Sequence, residues 1–319
     1  MPAFDVLLPP LSRLVADRRL AHGPLAIWAS RGDRLPVAAS GREAQLAGVF
    51  RIDGLPTGRP WPVAALTRAL DANDAEGALW LRADPAWLRA DMLTVRMLAC
   101  GVLGLDAAEA ADLAQALKPL FGDVGMRLEV ATPERWYLRI EPGVALPDFA
   151  PPEAVLGDDL AAHLPGGPEG RRWRALLNEA QVILHNHPVN AARIERGRVP
   201  ANSLWFWGGG LLPRAVTTAC TRILSDDVLI AALARRVGRE RVALDPAAMD
   251  GPAGEGPVLL DLATTRDPDV LVAWIDALAA RLRNGRIAGL HLAFESGERG
   301  AVQSAHRWRF WRRTRPLGA

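Results

Sequence analysis

The chain has 319 residues, half of them hydrophobic, which is enough for a sizeable core in one large domain or two ordinary ones. Its formal charge is only +2 although the sequence pI is about 8.9, because the positive charge is nearly all arginine and Lys118 is the sole lysine. With abundant Ala, Gly and Pro, that bias reads as a GC-rich coding bias, so arginine richness argues poorly for nucleic acid, which is not an expected partner.

Cys100 and Cys220 fit neither a disulfide framework nor a zinc site, and both read as buried, reduced thiols. The opening MPAFDVLLPPLSRL has no basic region and its short apolar run is broken by Pro9 and Pro10, so it does not read as a signal peptide. No stretch approaches the roughly eighteen apolar residues of a membrane span. A cytoplasmic location without a membrane partner is the expectation.

In chain order, residues 1–75 are rich in Pro, Gly and Arg, and predict short strands and loops that begin an α/β domain. From Gly77 the segment ALWLRA reads as a strand, after which Asp84-Pro85 predicts a short helical turn carrying Trp87 and Leu88. Leu105 to Lys118 reads as a helix, with Asp106 and Glu109 as a capping pair and Pro119 at its end. MRLEV and RWYLRI alternate around Thr132, Pro133 and Glu134 as a β-hairpin. Residues 76–145 thus predict an α+β lobe, and the Pro- and Gly-rich stretch 146–170 a linker or covering loop.

Residues 171–319 predict the main α/β domain. Trp173, Leu176, Leu177, Ala180 and Leu184 mark one face of a helix, and a second helix runs from Val189 to Arg196 between Pro188 and Gly197. Ser203 to Trp207 and Val258 to Leu262 read as strands, Asp226 to Arg236 and Asp267 to Leu282 as helices, and Ile287 to Phe294 as a further strand. This alternation implies βαβ units and a mostly parallel sheet. The terminal HRWRFWRRTR alternates Arg with aromatics, as an edge strand with its aromatic face on the core would. The same mix suits stacking on nucleic-acid bases or lying on anionic lipid.

The segment NEAQVILHNHPVNAARIERGRVPANSLWFWGGG concentrates polar residues that are costly inside a fold unless they serve something. Asn190 and Arg193 sit three apart on the second helix, as do Arg193 and Arg196, so they project from one face and suit a carboxylate or phosphate. Asn202 lies at a strand entrance, with Gly208, Gly209 and Gly210 at its far end, where ligands lie in open α/β sheets and glycine lets backbone approach them. These residues, with His187, are the candidate ligand-binding set. The same residues also suit purely structural duties. His185 and His187 are two apart, so they face different ways on a helix and suggest capping rather than metal binding.

The run LLNEAQVILHNHPVNAARIERGRVPANSLWFWGGG, with ALWLRADPAWLRADM, the Asp106 to Lys118 helix and the RWYLRI hairpin, resembles the proteobacterial RpfE-type regulatory family, proteins often labelled as phosphoglycerate mutases. More distantly it is similar to archaeal-type cofactor-independent phosphoglycerate mutases. The resemblance implies an alkaline-phosphatase-like α/β fold: a mostly parallel sheet flanked by helices, with a smaller α+β lobe. It also implies a chemistry needing two divalent metals and a Ser or Thr nucleophile. The sequence departs from that pattern. Asp5 in FDVLLPP has no evident partner, and none of the six histidines, His22, His163, His185, His187, His291 and His306, adjoins an Asp. The expectation is therefore a non-catalytic regulatory protein on a mutase-like scaffold, with no catalytic or metal residues, no cofactor, and a small anion or a protein as partner. The rivals are a metal-dependent phosphoglycerate mutase or phosphatase-type enzyme using unconventional ligands such as Asp261, Asp267 and His291, and a nucleic-acid-binding regulator working through the basic C-terminal segment.

Overall fold

The computed structural model describes residues 1–56, 58–92, 94–251 and 256–318. The chain forms two compact units, Met1–Gly54 with Arg214–Ala319, and Leu55–Pro213. The fold class is α/β, with a mostly parallel helix-flanked sheet in the first unit and an α+β arrangement in the second.

In the first unit a seven-stranded sheet runs Arg241–Val242, Arg222–Leu224, Val258–Asp261, Ala3–Leu8, Gly289–Phe294, Arg299–Gln303, Asp33–Leu35. The first five strands are parallel, and the last two add antiparallel pairings at one edge. Alternation decides which residues reach the site. Phe4, Val6 and Leu8 enter a core with Leu260, Trp274 and Leu278, the latter two from the helix Pro268–Arg283. Asp5 and Leu7 take the opposite face. They lie in register with His291 and Asp261, which puts Asp5, Asp261 and His291 on one face of the sheet.

Residues 1–75 contain more helix than the expected strands and loops: Leu11–Val15, Arg18–His22, Pro24–Arg31, Arg42–Leu46 and Val63–Asp71. These segments are one to three turns long, too short to display a clear helical period, and of the five only Arg18–His22 carries a side-chain cap, Asp17 accepting from the amides of Arg19 and Leu20.

The second unit is built on Leu79–Ala90, a single twelve-residue strand in place of the expected strand and helical turn. One of its edges pairs from Leu79 to Ala86 with Ser203–Leu211, whereas the other pairs first with Arg135–Ile140 and then with Val95–Cys100. Asp84 and Pro85 fall where that partner changes, so the missing proline N–H forfeits no ladder bond there. The expected hairpin is present, as is the capping box of Asp106 and Glu109 on the helix Ala107–Gly122. That helix runs past Pro119 by one turn. It packs with Gly167–His185 over a core that includes Trp136, Trp173 and Phe206.

Two expectations about organisation change. Ser203–Leu211 is antiparallel to Leu79–Ala90 and lies in the second unit rather than in a parallel sheet, so residues 171–213 leave the main domain and 55–75 join the lobe. The residues of 146–170 are part of this lobe: Phe149 packs edge-on against Trp173, and Val155 is fully buried. The C-terminal HRWRFWRRTR is not a strand either. Ser304–Trp308 is a 3-10 helix followed by turns, because Arg309 pairs with Asp33 and Arg312 donates to the Gly32 carbonyl at 2.6 Å. Trp308, Phe310 and Trp311 are consequently exposed, at 58%, 65% and 76%.

Candidate functional site

The carboxyl ends of the parallel strands carry a largely buried charge cluster in the first unit. Asp261, the last residue of its strand, is fully buried. Asp227 caps the helix Val228–Arg236, giving one carboxylate oxygen to the amides of Leu229 and Ile230. Between them sits Arg42, at the start of the helix Arg42–Leu46. Its position is set by Gly41, whose φ of 104° is in the region glycine favours, and by Gln45, whose amide donates to the Leu8 and Ala293 carbonyls at 2.9 and 2.7 Å.

The Arg42 fork grips Asp261 with both terminal nitrogens, at 2.9 and 2.7 Å, and reaches Asp227 at 2.9 Å. Ser225 adds a hydroxyl donor to Asp261 at 2.9 Å, and the Ala263 amide a further one at 3.3 Å. Each oxygen of Asp261 therefore accepts two donors. Burial alone would lower the pKa of Arg42, but the carboxylates of Asp261 and Asp227 hold it above the ordinary arginine value. An internal guanidinium thus offsets part of the negative charge of the two acids at this edge.

Asp5 lies two residues further from the edge on the same face, roughly 6.6 Å along the strand direction. Its carboxylate is 2.9 Å from Nδ1 of His291, a pairing across strands that neither residue's neighbours in sequence reveal. Cys220 donates to its other oxygen at 3.6 Å. Burial, together with Asp5, pushes the Cys220 thiol up to about 12, so it stays protonated at neutral pH. The pair of divalent ions implied by the mutase resemblance does not fit these donors. Asp261 is saturated, Asp267 caps the helix Pro268–Arg283 through the Asp269 amide, and His291 is paired with Asp5, whose other oxygen takes the Cys220 thiol. Among the described residues no group of three or more His, Cys, Asp or Glu side chains is placed to hold a metal ion.

The candidate set of the second unit is drawn largely into the fold. Asn190, 2% exposed, donates to the Leu184 and Ala201 carbonyls and accepts from the Ala201 amide. Arg193, 1% exposed, is held by Glu109 and by the carbonyls of Val199, Gly104 and Leu103. Asn202 bridges both main-chain groups of Leu88, and His187 caps its helix by accepting from the Val189 amide.

Gly208, Gly209 and Gly210 lie inside their strand, where an added Cβ would come within 2.9 Å of Val63, 2.6 Å of Leu146 and 2.6 Å of Pro62. The close approach that glycine permits is therefore to the chain itself. Arg196 is exposed and, with His187, lines an open groove that also takes in Asp112 and Gln115.

No family model matches the chain. It is similar to a probable 2,3-bisphosphoglycerate-independent phosphoglycerate mutase of Geobacter sulfurreducens, 33% identical over 110 residues, which are 34% of this chain and 28% of that one. It is also similar to the 2,3-bisphosphoglycerate-independent phosphoglycerate mutase of Methanosarcina barkeri, 42% identical over 67 residues, 21% and 17% of the two chains. The chain thus spans less than a third of the length of these curated relatives. Among solved structures, the cofactor-independent phosphoglycerate mutase of Thermoplasma acidophilum aligns with a TM-score of 0.43 at 18% identity, over 95% of this chain and 90% of that one. The sequence similarities give the chain a phosphoglycerate-mutase-like segment.

Proposed function

We propose that this chain is a non-catalytic regulatory or ligand-binding protein of the RpfE type, cytoplasmic and bacterial, built on an alkaline-phosphatase-like mutase scaffold. The observation that carries the reading is the Arg42 fork on Asp261 and Asp227. Where phosphoryl transfer needs paired cations to neutralise attacking and leaving oxygens, this edge has a guanidinium that offers no open coordination position. Free Cys100 and Cys220 accord with a reducing compartment.

A small phosphorylated or carboxylate anion is the ligand class we assign, with Arg196 as its contact because Asn190, Arg193 and Asn202 are engaged internally. Phosphoglycerate interconversion assayed with and without Mn2+ tests the first claim: no turnover is expected, and metal-stimulated turnover refutes it. Calorimetry with phosphoglycerate tests the second. Heat that disappears in Arg196→Ala supports the assignment, and no heat removes it.

The second reading, a metal-dependent mutase, is favoured by the names of the relatives. The same turnover assay decides between the two.

A further inference from the structure

The arginine and tryptophan segment at the C-terminal end is held in place, yet its rings face outward. Arg309 and Arg312 anchor it to Asp33 and the Gly32 carbonyl, the Arg315 amide donates to the Ser30 hydroxyl at 3.0 Å, and Leu317 is buried. Exposing three large aromatic rings within four residues is costly without a partner. They are also not bare. The Arg307 guanidinium lies 5.0 Å over Trp308 and that of Arg31 lies 5.6 Å over Phe310, while Trp308 and Phe310 meet edge to face.

Trp311 stands at a groove of about 720 Å3, onto which Arg34, Arg299, Arg312, Arg313 and Arg315 open. The facing acids are few. Asp33 is taken by Arg309, with Arg312 and His306 nearby, and Glu298 accepts from Ser296 at 2.5 Å. Among the described residues Arg34, Arg299, Arg307, Arg313 and Arg315 form no ion pair with a carboxylate.

We propose that this surface binds single-stranded nucleic acid. Bases would stack on Trp311 and on the outer faces of Trp308 and Phe310, while the unpaired guanidiniums take the phosphates. A strand with unstacked bases is required, because a duplex keeps its base faces covered. An anionic membrane fits less well: Trp308 and Phe310 are tilted 77° to one another and each is layered with a guanidinium, so these two rings present no common apolar plane. The overall charge of +2 hides the feature, since four of the unpaired positive groups, Arg34, Arg299, Arg313 and Arg315, line one groove.

The test is fluorescence anisotropy of the full chain with labelled oligo(dT) and oligo(U) of about 15 nucleotides, a size near one binding site. A duplex of equal length and vesicles of mixed phosphatidylcholine and phosphatidylserine are the other arms. Single-strand binding is expected to weaken with salt at a log–log slope of about −2 to −3.5, for three to five phosphates contacted. Trp311→Ala should weaken it about 5- to 150-fold. The pair Arg313→Ala and Arg315→Ala should flatten the slope by about 1.4. Circular dichroism matching the wild type shows that these surface variants fold. No single-strand binding at low salt, equal or tighter binding of the duplex or the vesicles, or an unchanged affinity in Trp311→Ala would each overturn the proposal.

Discussion

Arg193 and Arg42 are both withdrawn from water, yet what holds them differs. Around Arg193 three acceptors are main-chain carbonyls, and Glu109 is the one carboxylate. Around Arg42 two carboxylates, Asp261 at a strand end and Asp227 at a helix cap, supply three of the bonds, and the Gln45 side-chain oxygen the fourth. The first arginine ties loops to a helix. The second also cancels negative charge at the edge where a parallel sheet offers its ligand site. Only there would removal of the guanidinium leave oxygens arranged to attract another cation.

The largest expected effect is at Arg193. Its replacement by Ala strands a buried carboxylate and several carbonyls and should cost about 3–5 kcal/mol in denaturant unfolding. Mn2+ should not restore this loss. Arg42→Ala should cost about 3 kcal/mol, somewhat less because the pair is near solvent. Here Mn2+ is expected to raise the melting temperature of the variant but not of the wild type. Equal metal responses in the two arginine variants would erase the distinction drawn between them.

The second unit contains a further charge pair whose pH response sharpens the contrast. Burial alone would raise the pKa of Asp71, but the Arg135 fork and the Tyr137 hydroxyl, at 2.8 and 2.6 Å, hold it below the usual carboxylate range. A depressed folded-state pKa means that the stabilisation is complete above the unfolded value of about 4 and is lost as pH falls through the folded value. Thermal unfolding followed below about pH 4 should therefore show a shallower acid loss in Asp71→Asn than in the wild type. Parallel curves would disprove the linkage. The smallest effect belongs to Arg196→Ala, expected to stay within about 0.5 kcal/mol of wild-type stability because the side chain is exposed.

Much of the sheet was legible because its residues obey local rules. Val258–Asp261 is a buried apolar run, and Pro268–Arg283 opens on Asp267-Pro268 with apolar residues at helical spacing. The short helices before residue 75 were not legible, since five residues such as Leu11–Val15 are too few to display a period. The candidate site was hidden for a different reason. Arg42 and Asp261 are 219 positions apart, and Asp5 and His291 are 286 apart, so only the strand order brings them together. One signal was available: carboxylates recur at or just past strand ends, at Asp261 and at Asp226 and Asp227, with one arginine following Gly41.

The candidate residues of the second unit were recognised as unusual, and rightly as polar groups needing partners. Those partners are chiefly the protein's own carbonyls. In HRWRFWRRTR the alternation is real, but the anchors at Arg309 and Arg312 override it and turn the rings toward solvent.

Calorimetric titration of the intact wild-type chain with Mn2+ tests most directly whether the internal guanidinium has taken over the cation's role. With Arg42 in place, no saturable heat is expected at the sheet edge. Two ions taken up per chain, with both lost when Asp261 is changed to Asn, would contradict it.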